Sequence, residues 1–456
     1  MARASGVFIV AVAALAGCTE WVAPRPGLTE QDQALLASMV LKGKPVDPRN
    51  EYLDDDAVAE FGQQLFFDRG LSRVVLPDAG PMDGGLTDGE LDPLDAGYVL
   101  TDTGYPLATQ GVACVHCHVP AAGFSDDRTA RNVSFGLRWT ARNSPTVLNV
   151  AFYEWWGWDG RADTLWGQSV HAYDSPATMG GDPLRMARAL AARYPDRYQA
   201  VFKESLPVDL DGGVGLDSAR FEASPLAPAD EAVLRRIYER IMKAWATYMS
   251  RLTSTDSPFD RFAQGDDHAL SEGARRGLTL FFGKAGCVQC HRGPMFTDNQ
   301  FHSVGLGQTG LNVPSVDKGR SSGLDLLKKL PTAFRRVADV PAPTESDVGR
   351  FRTKSLRNVS LTGPYMHAGQ LETLKDVVWF YNRGGDRDGA GTPSAFMEPL
   401  GLTESEQSDL VLFLESLTGQ PPDARWTCDN SCDTVAGMER RFGPPCAVIP
   451  MCPVSR

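Results

Sequence analysis

The feature that most constrains this chain is a five-residue motif, C-x-x-C-H, which occurs twice. The first copy reads CVHCH at residues 114–118, and the second reads CVQCH at residues 287–291. Two thiols at this spacing can form thioether bonds with the two vinyl groups of one haem, and the histidine that follows reaches the iron from the same turn. The motifs therefore predict two covalently bound c-type haems. The predicted attachment residues and proximal ligands are Cys114, Cys117 and His118 for the first haem, and Cys287, Cys290 and His291 for the second.

Two other uses of paired cysteines fit the sequence less well. A thioredoxin-like C-x-x-C motif does not require a histidine directly after it, and here one follows both pairs. A zinc ribbon places its cysteine pairs about 15 to 20 residues apart, not across half the chain. His116, inside the first motif, is expected to be a surface residue.

The first residues resemble an export signal. Arg3 supplies a positive charge, residues 7–16 are apolar, and the sequence LAGC ends at Cys18. The apolar run is too short to span a bilayer, which takes about 20 apolar residues. We therefore predict that residues 1–17 are a lipoprotein-type signal peptide and that Cys18 is the lipid-modified mature N-terminus, with an ordinary cleaved signal as the alternative. The protein would then lie on the periplasmic side, attached to the membrane only by this lipid anchor.

Composition limits the classes of partner. The chain has 456 residues, 42% of them hydrophobic, and is long enough to bury two or three domain cores. Its formal net charge of −12 disfavours nucleic-acid binding, because phosphate groups would repel it. A basic protein partner would be attracted instead.

The C-terminal cysteines form a separate group: Cys428, Cys432, Cys446 and Cys452. An exported chain meets an oxidising compartment, so these four residues are expected to form two disulfides, with a zinc site as the alternative. Three connectivities are possible, and the sequence does not choose among them.

Local patterns predict a mainly helical chain. Apolar residues recur at helical spacing within residues 51–67, 227–252 and 271–282, and Thr403 with Glu406 forms a capping box that opens another helix. No alternating strand pattern is evident. Residues 77–97 are rich in Asp, Gly and Pro and are predicted to be a long acidic loop, with calcium binding as an alternative.

The fold class is therefore mainly α, with two cytochrome c-like haem domains, long loops and a short Cys-rich C-terminal tail. The N-terminal haem domain is predicted at 28–253, the C-terminal haem domain at 254–419 and the disulfide-stapled tail at 420–456. The halves are expected to be a divergent pair, since little beyond the cysteine motif recurs between them.

Four further strings carry a family resemblance. They are RNSPTV at 142–147, WDGRA at 158–162, LRNV at 356–359 and TGPYMHAG at 362–369. Together with the haem motifs they resemble the signature strings of the bacterial di-haem cytochrome c peroxidase and MauG family, in the same order, over residues 51–419. The resemblance implies an enzyme that reduces hydrogen peroxide at the first haem with electrons from a small c-type cytochrome that reach the second.

The resemblance also implies roles for residues between the haems. Asn143, Thr362 and Pro364 match the positions where this family binds one calcium ion, and oxygen ligands suit that hard cation. Trp158 matches the tryptophan that relays electrons between the haems. The alternatives are that Asn143 caps a turn, that Thr362 and Pro364 shape a loop and that Trp158 packs in the core.

The second haem's sixth ligand distinguishes branches of the family. Fourteen residues after His367, where the peroxidases place a methionine, this chain has Tyr381, which resembles the MauG branch. Ligation by His291 and Tyr381 predicts a low-potential second haem that can stabilise high-valent iron. The alternative is a packed tyrosine beside an open site.

The first haem has a different set of expected neighbours. Phe135 stands where peroxidases that need reductive activation carry a removable histidine, so peroxide should bind without prior reduction. Gln168 matches the family's distal glutamine, and Thr178 stands where its distal glutamate is expected. A threonine hydroxyl does not ionise near neutral pH, so proton transfer would need another group, and His171 and Asp174 are the candidates.

Three functions remain open at this stage. The first is the peroxidase described above. The second is MauG-like oxidation of a partner protein, which Tyr381 and Phe135 favour, although the surface tryptophan of that branch is replaced by Ala285. The third is a non-enzymatic electron carrier, which Thr178 favours and the open first haem disfavours.

Overall fold

A computed structural model describes residues 28–72, 111–127, 133–207, 228–310 and 312–430. The predicted signal peptide, the lipid site at Cys18, the acidic loop at 77–97 and residues 431–456 lie outside these ranges. Within them the protein is mainly helical, as predicted. None of the helices described is long and apolar enough to cross a membrane.

The described part of the chain contains eleven α-helices and one two-stranded sheet. The helices are α1 (Glu30–Ser38), α2 (Asp56–Phe67), α3 (Leu165–Asp174), α4 (Pro183–Arg193), α5 (Pro195–Phe202), α6 (Pro228–Met249), α7 (Pro258–Ala263), α8 (Glu272–Phe282), α9 (Arg320–Lys329), α10 (Leu374–Asn382) and α11 (Glu404–Glu415). Strand β1 (Phe301–His302) pairs antiparallel with β2 (Phe351–Arg352), Phe301 lying opposite Arg352.

The predicted helices begin at side chains that satisfy free backbone N–H groups. The Asp55 carboxylate accepts from the first turn of α2, and the Ser271 hydroxyl does the same for α8. Thr403 and Glu406 form the predicted capping box at the start of α11. These local signals explain why the sequence placed the helices correctly.

Two hydrophobic cores lie in the two halves of the chain. The first core is built on α2 to α6, and the second on α7, α8, α10 and α11. Leu36 and Met39, in and just after α1, pack in the second core, whereas Leu327 and Phe334, in and just after α9, pack in the first. Segments from each half therefore cross to the core of the other.

One pair of helices in each core packs with its backbones almost touching. A Cβ atom added at Gly62 in α2 would lie 2.1 Å from the carbonyl oxygen of Ala244 in α6. A Cβ atom added at Gly277 in α8 would lie 2.0 Å from the carbonyl oxygen of Asp409 in α11. Only glycine permits such a close crossing, so the α2–α6 and α8–α11 pairs correspond.

The halves also share a longer stretch of backbone. In each, an asparagine with a left-handed backbone opens a 3-10 turn, an antiparallel bridge follows, and a threonine caps a helix. The corresponding residues lie a constant 209 positions apart: Asn149 and Asn358, Trp156 and Tyr365, Ala162 and Leu371, and Thr164 and Thr373. Helices α3 and α10 are therefore equivalent, and the recurrence extends well beyond the cysteine motif.

The start of the predicted tail packs on the first half. The Gln63 side chain in α2 donates to the carbonyl oxygens of Arg425 and Cys428, at 2.8 and 2.9 Å. Trp426 belongs to the first core. Cys428 is disulfide-bonded, while the other three tail cysteines lie outside the described residues.

Candidate functional site

Each C-x-x-C-H motif forms one tight turn. The 3-10 turns are Cys114–His116 and Cys287–Gln289, and in each the backbone N–H of the motif histidine donates to the carbonyl of the first cysteine, at 3.0 and 2.9 Å. None of the four motif cysteines is in a disulfide. Burial raises the pKa of Cys114 and Cys287 to about 12. The thiols are therefore held in pairs on the same turn as the histidine, as thioether attachment requires.

Both motif histidines are oriented by a backbone carbonyl. The Nδ1 atom of His118 lies 3.3 Å from the carbonyl oxygen of Phe124, and the Nδ1 atom of His291 lies 3.0 Å from that of Phe296. A carbonyl accepts only from a protonated Nδ1, so Nε2 of each ring keeps its lone pair for a metal. Burial lowers the pKa of both rings, which favours this neutral form.

The two acceptor carbonyls are presented in the same unusual way. Phe124 has φ of 57° and Phe296 has φ of 50°, a left-handed conformation that phenylalanine rarely adopts. In each half this conformation turns the carbonyl back toward the histidine ring. The recurrence indicates that the backbone is held there by the packing around it.

Tyr381 lies on α10 beside the second cysteine pair. Burial raises the pKa of its phenol, and the nearby thiols of Cys287 and Cys290 raise it further. Its ring packs edge-on against Phe380, with centroids 5.3 Å apart. No group within the described ranges hydrogen-bonds to its hydroxyl. The phenol oxygen of Tyr381 is thus available to act as a metal ligand at the second site.

Phe135 and Thr178 lie close together beside the first motif. The Cys117 thiol is 3.7 Å from the carbonyl oxygen of Phe135. The same loop is tied to Thr178, whose carbonyl accepts from the Leu137 backbone at 3.0 Å. The Thr178 hydroxyl donates to the carbonyl of Ala172 near the end of α3, so its proton is engaged by the backbone.

Helix α3 carries the other predicted distal residues. The Oε1 atom of Gln168 is buried and has no hydrogen-bond partner among the described residues. His171 has its Nε2 atom 3.0 Å from the carbonyl of Arg161, and burial together with that arginine lowers its pKa to about 4. Asp174 accepts a hydrogen bond from the hydroxyl of Tyr238. Gln168 thus presents an acceptor atom that the described part of the protein leaves unused.

Trp158 lies where the two halves meet. Its indole Nε1 donates to the carbonyl of Asn143 at 2.8 Å, and its own carbonyl accepts from the Arg352 backbone at 2.7 Å. The Asn143 backbone in turn donates to the carbonyl of His367 at 2.8 Å. Residues 143 and 352, like 158 and 367, are 209 positions apart. The two backbone bonds are therefore equivalents, one from each half.

The residues proposed for calcium lie on segments that approach each other here. Asn143 is buried, and its side-chain N–H donates to the carbonyl of Asp126 at 3.1 Å. The loop with Thr362 and Pro364 leads directly to His367, whose carbonyl accepts from Asn143. A Cβ atom at Gly123, beside the first motif, would lie 3.4 Å from Thr362. The arrangement brings candidate oxygen ligands from both halves to one region.

One residue lies elsewhere than the sequence predicts. His116 is buried rather than on the surface, because its ring folds back and the Ala113 backbone N–H donates to its Nδ1 at 3.0 Å. Ala285 is also buried, two residues before the second motif. Two cations beside Trp158, Arg352 and Lys354, were not predicted, because they lie outside every motif that the sequence offers.

The residues present fit two c-type haems. Each site has a pair of unoxidised thiols and a histidine with a free Nε2, and the second site adds an unpaired phenol oxygen. These groups match the attachment and axial ligation that a c-type haem needs.

The chain is similar to known di-haem proteins. Residues 107–268 match the sequence model of the family described as di-haem cytochrome c peroxidase. The chain is 33% identical over 336 residues to cytochrome-c peroxidase IdrP1 of Pseudomonas sp. (strain SCT), which covers 70% of this chain and 79% of that relative. It is 34% identical over 316 residues to methylamine utilization protein MauG of Methylorubrum extorquens. This alignment covers 68% of the present chain and 73% of that relative.

A solved structure shares the fold. The crystal structure of a MauG-like protein associated with microbial copper homeostasis superposes with a TM-score of 0.56 and 23% identity, covering 87% of this chain and 96% of that one. The mainly helical fold is therefore common to both.

Proposed function

Because the chain belongs to the di-haem cytochrome c peroxidase and MauG family, an oxidoreductase family with two c-type haems, we propose that it reduces hydrogen peroxide with electrons from a small c-type cytochrome. The observation that carries the proposal is an asymmetry between the two sites. His118 and His291 are held identically on the proximal side, but Phe135 lies beside the first motif and Tyr381 beside the second. A phenylalanine cannot ligate iron, whereas a phenol oxygen can.

The two haems, when bound, supply the iron that reacts with peroxide and the store for its two oxidising equivalents. The chain's own residues then have different roles at the two sites. Nε2 of His118 would hold the iron of the first haem, and Phe135 supplies no second ligand there. His291 and Tyr381 would both hold the iron of the second haem, which suits electron transfer without substrate binding. Trp158, bonded to both halves, lies on the route between them.

Gln168 is the proposed substrate-orienting residue. A buried amide oxygen without a partner costs free energy, roughly 1–3 kcal/mol. Hydrogen peroxide carries two O–H donors, so either can satisfy this acceptor. Binding thus relieves an unpaired group and fixes the direction of the O–O bond.

His171 is the proposed proton acceptor. The carbonyl of Arg161 accepts from Nε2, so the proton of the neutral ring is on that atom and Nδ1 carries the lone pair. A pKa of about 4 makes it a weak base that stays neutral at physiological pH. Thr178 has no such role in this proposal, because its hydroxyl proton is donated to a backbone carbonyl. Proton transfer from peroxide then depends on His171 in place of the missing distal carboxylate.

The test is steady-state oxidation of a reduced small c-type cytochrome by hydrogen peroxide, with the haem-loaded protein in its fully oxidised form. We expect turnover at the same rate with and without prior reduction, since Phe135 leaves no ligand to remove. Gln168→Leu should lower kcat/KM for peroxide roughly five- to tenfold, the equivalent of one neutral hydrogen bond. Gln199→Leu, at an exposed position of α5, is the matched control. Absence of turnover by the native protein would refute the proposal.

A second function, oxidation of a partner protein, is favoured by one surface feature. Trp379 on α10 is 54% exposed, although it is only two residues from Tyr381. The Arg383 guanidinium lies 4.5 Å from the Trp379 ring and 5.5 Å from the ring of Phe380, which in turn contacts Tyr381. This ladder links the protein surface to the second site, although Ala285 replaces the surface tryptophan of the MauG branch.

The Trp379→Phe variant separates the two functions. If a partner protein is oxidised through this surface, the variant should react with peroxide as the native protein does but lose the later transfer to protein substrates. Leu412→Phe, at an exposed apolar position of α11, is the control. Unchanged electron exchange with both cytochrome and protein substrates would remove Trp379 from either function.

Calcium binding and membrane attachment belong to the same proposal. One calcium ion held by Asn143, Thr362 and Pro364 would fix the region where the halves meet. Chelation should then alter the potentials of both haems, and Asn143→Ala should reproduce the effect. Lipid attachment through Cys18, on the periplasmic side, predicts that the Cys18→Ser protein leaves the membrane fraction.

A further inference from the structure

Arg352 and Lys354 place two cations side by side inside the protein. Arg352 is 2% exposed, and its guanidinium carbon lies 4.0 Å from the centre of the Tyr153 ring. The Lys354 ammonium lies 5.5 Å from the same ring and 4.9 Å from that of Trp158. Both aromatic faces attract a cation, but neither neutralises one.

Among the residues that the structure describes, no carboxylate compensates these charges. In the described ranges neither side chain forms a salt bridge, and Nη1 of Arg352 is buried without a hydrogen-bond partner. Burial lowers the pKa of both groups, and the charge of Arg352 lowers that of Lys354 further. The only acceptor that the described residues place within hydrogen-bond distance of the Arg352 guanidinium is the Gly157 carbonyl, 3.4 Å from Nε. Arg142, by contrast, is paired with the carboxylates of Asp159 and Asp317. An uncompensated buried pair is costly, so an anion is expected beside it.

The pair lies between the two haem sites. The Lys354 carbonyl is close enough to the His291 ring to raise its pKa, and the Lys354 ammonium is close enough to His118 to lower its pKa. Arg352 is the equivalent, 209 residues on, of Asn143, a proposed calcium ligand. Tyr153, under the guanidinium, is likewise the equivalent of Thr362. The Arg352 side chain thus stands at the position in one half that corresponds to the proposed calcium ligand Asn143 in the other half.

The haem brings the anions that fit this place. Each c-type haem is attached through its vinyl groups and retains two carboxylate side chains, the propionates. An arginine guanidinium binds carboxylates with two parallel hydrogen bonds, and a lysine adds a compact point charge. We propose that Arg352 and Lys354 form the binding site for haem propionate carboxylates where the two haem sites meet. This inference rests on the proposed di-haem function.

The test uses the haem-loaded protein and does not depend on turnover. Arg352→Gln and Lys354→Gln each remove one positive charge, and Arg352→Lys keeps it. Arg350→Gln, two residues before Arg352 and exposed, is the matched control. Resonance Raman spectra report the propionate bending bands, whose frequencies follow hydrogen bonding to the carboxylates. Spectroelectrochemical titration gives the midpoint potential of each haem.

We expect both Gln variants to shift a propionate bending band. Each should also lower the midpoint potential of at least one haem by about 59 mV, which is a tenfold change in its reduction equilibrium constant. Arg350→Gln should change neither. Failure of Arg352→Gln to take up haem, with normal uptake by Arg352→Lys, would also support the assignment. Unshifted propionate bands in Lys354→Gln, with or without a change of potential, would overturn it. If the native protein lacked peroxidase activity but these shifts appeared, only the proposed function would fail.

Discussion

Replacing Arg357 with methionine should destabilise the second half of the molecule by about 3–5 kcal/mol. Arg357 is 4% exposed, and its guanidinium donates two hydrogen bonds to the Asp260 carboxylate, at 2.8 and 2.9 Å. It also donates to the carbonyls of Met39, at 3.0 Å, and Pro294. One side chain therefore joins α1, α7 and the loop that follows the second haem motif.

The magnitude follows from what is left behind. Methionine fills much of the same volume, but it leaves the Asp260 carboxylate buried and uncompensated, which costs about 3–5 kcal/mol. The hydrogen bonds that are lost to the two carbonyls are only partly included in this figure, so the figure is a lower estimate. An exposed pair contributes less than about 1 kcal/mol. The size of the effect thus distinguishes a buried pair from a surface one.

The effect should also depend on pH. Burial alone would raise the pKa of Asp260, but the hydrogen bonds and charge of Arg357 outweigh it and lower the pKa. A carboxyl group with a lowered folded-state pKa stabilises the protein above its unfolded value of about 3.9, and that stabilisation is lost as the pH falls. In the variant the uncompensated carboxyl has a raised pKa and takes up its proton first. The difference between native protein and variant should therefore be full at pH 7, shrink as the pH falls toward about 4 and shrink further below it.

Urea unfolding of the haem-loaded proteins provides the assay. The control is Arg261→Met, on α7 beside Asp260, whose pair with Asp256 is exposed, with side chains 38% and 55% accessible. We expect this control to lie within about 1 kcal/mol of the native protein. Equal stability of the Arg357 and Arg261 variants at pH 7 would refute the reasoning.

Three further changes have defined outcomes. Tyr381→Phe should raise the midpoint potential of the second haem by at least about 59 mV, a tenfold change in its reduction equilibrium, and an unchanged spectrum would contradict phenolate ligation. Gly277→Ala would place a Cβ atom 2.0 Å from the Asp409 carbonyl oxygen and should cost about 1–3 kcal/mol in urea unfolding; an unchanged midpoint would count against the close helix crossing. Burial raises the pKa of Asp317, but its bonds with Arg142 lower it overall. Asp317→Asn should therefore be less stable at pH 7 and lose less stability between about pH 5 and 2, and parallel acid profiles would contradict this.

The sequence predicted the helices because their signals are local. An N-cap such as Ser271 or Thr403 acts within one turn, and the apolar face of α6 repeats every three or four residues. The structural repeat was missed for the opposite reason. It is carried mainly by backbone features, such as the left-handed Asn149 and Asn358. The identical residues that accompany them are few and scattered, such as Val150 and Val359, and form no continuous motif.

The sequence likewise predicts some features of the candidate site and not others. The motifs predict His118 and His291 as proximal ligands because covalent attachment fixes their spacing, and the family resemblance predicts Tyr381. No sequence pattern indicated that the carbonyls of Phe124 and Phe296 would orient the histidines, since any residue supplies a carbonyl and only the backbone angle directs it. His116 was misassigned because a polar ring was assumed to seek solvent, whereas here it accepts a bond from its own turn.

The repeat also explains how one backbone design can serve two roles. Helices α3 and α10 are equivalent, so a constant separation of 209 residues makes Gln168 the counterpart of Val377, and Ala172 the counterpart of Tyr381. The proposed substrate-orienting group therefore lies one helical turn before the position that carries the phenol in the other half. Since the proximal histidines are held alike, the proximal side cannot distinguish the sites. In the proposed function, the difference between a site that receives peroxide and one that only transfers electrons then arises from Phe135 beside the first motif and from the turn of this helix that carries the polar side chain in each half.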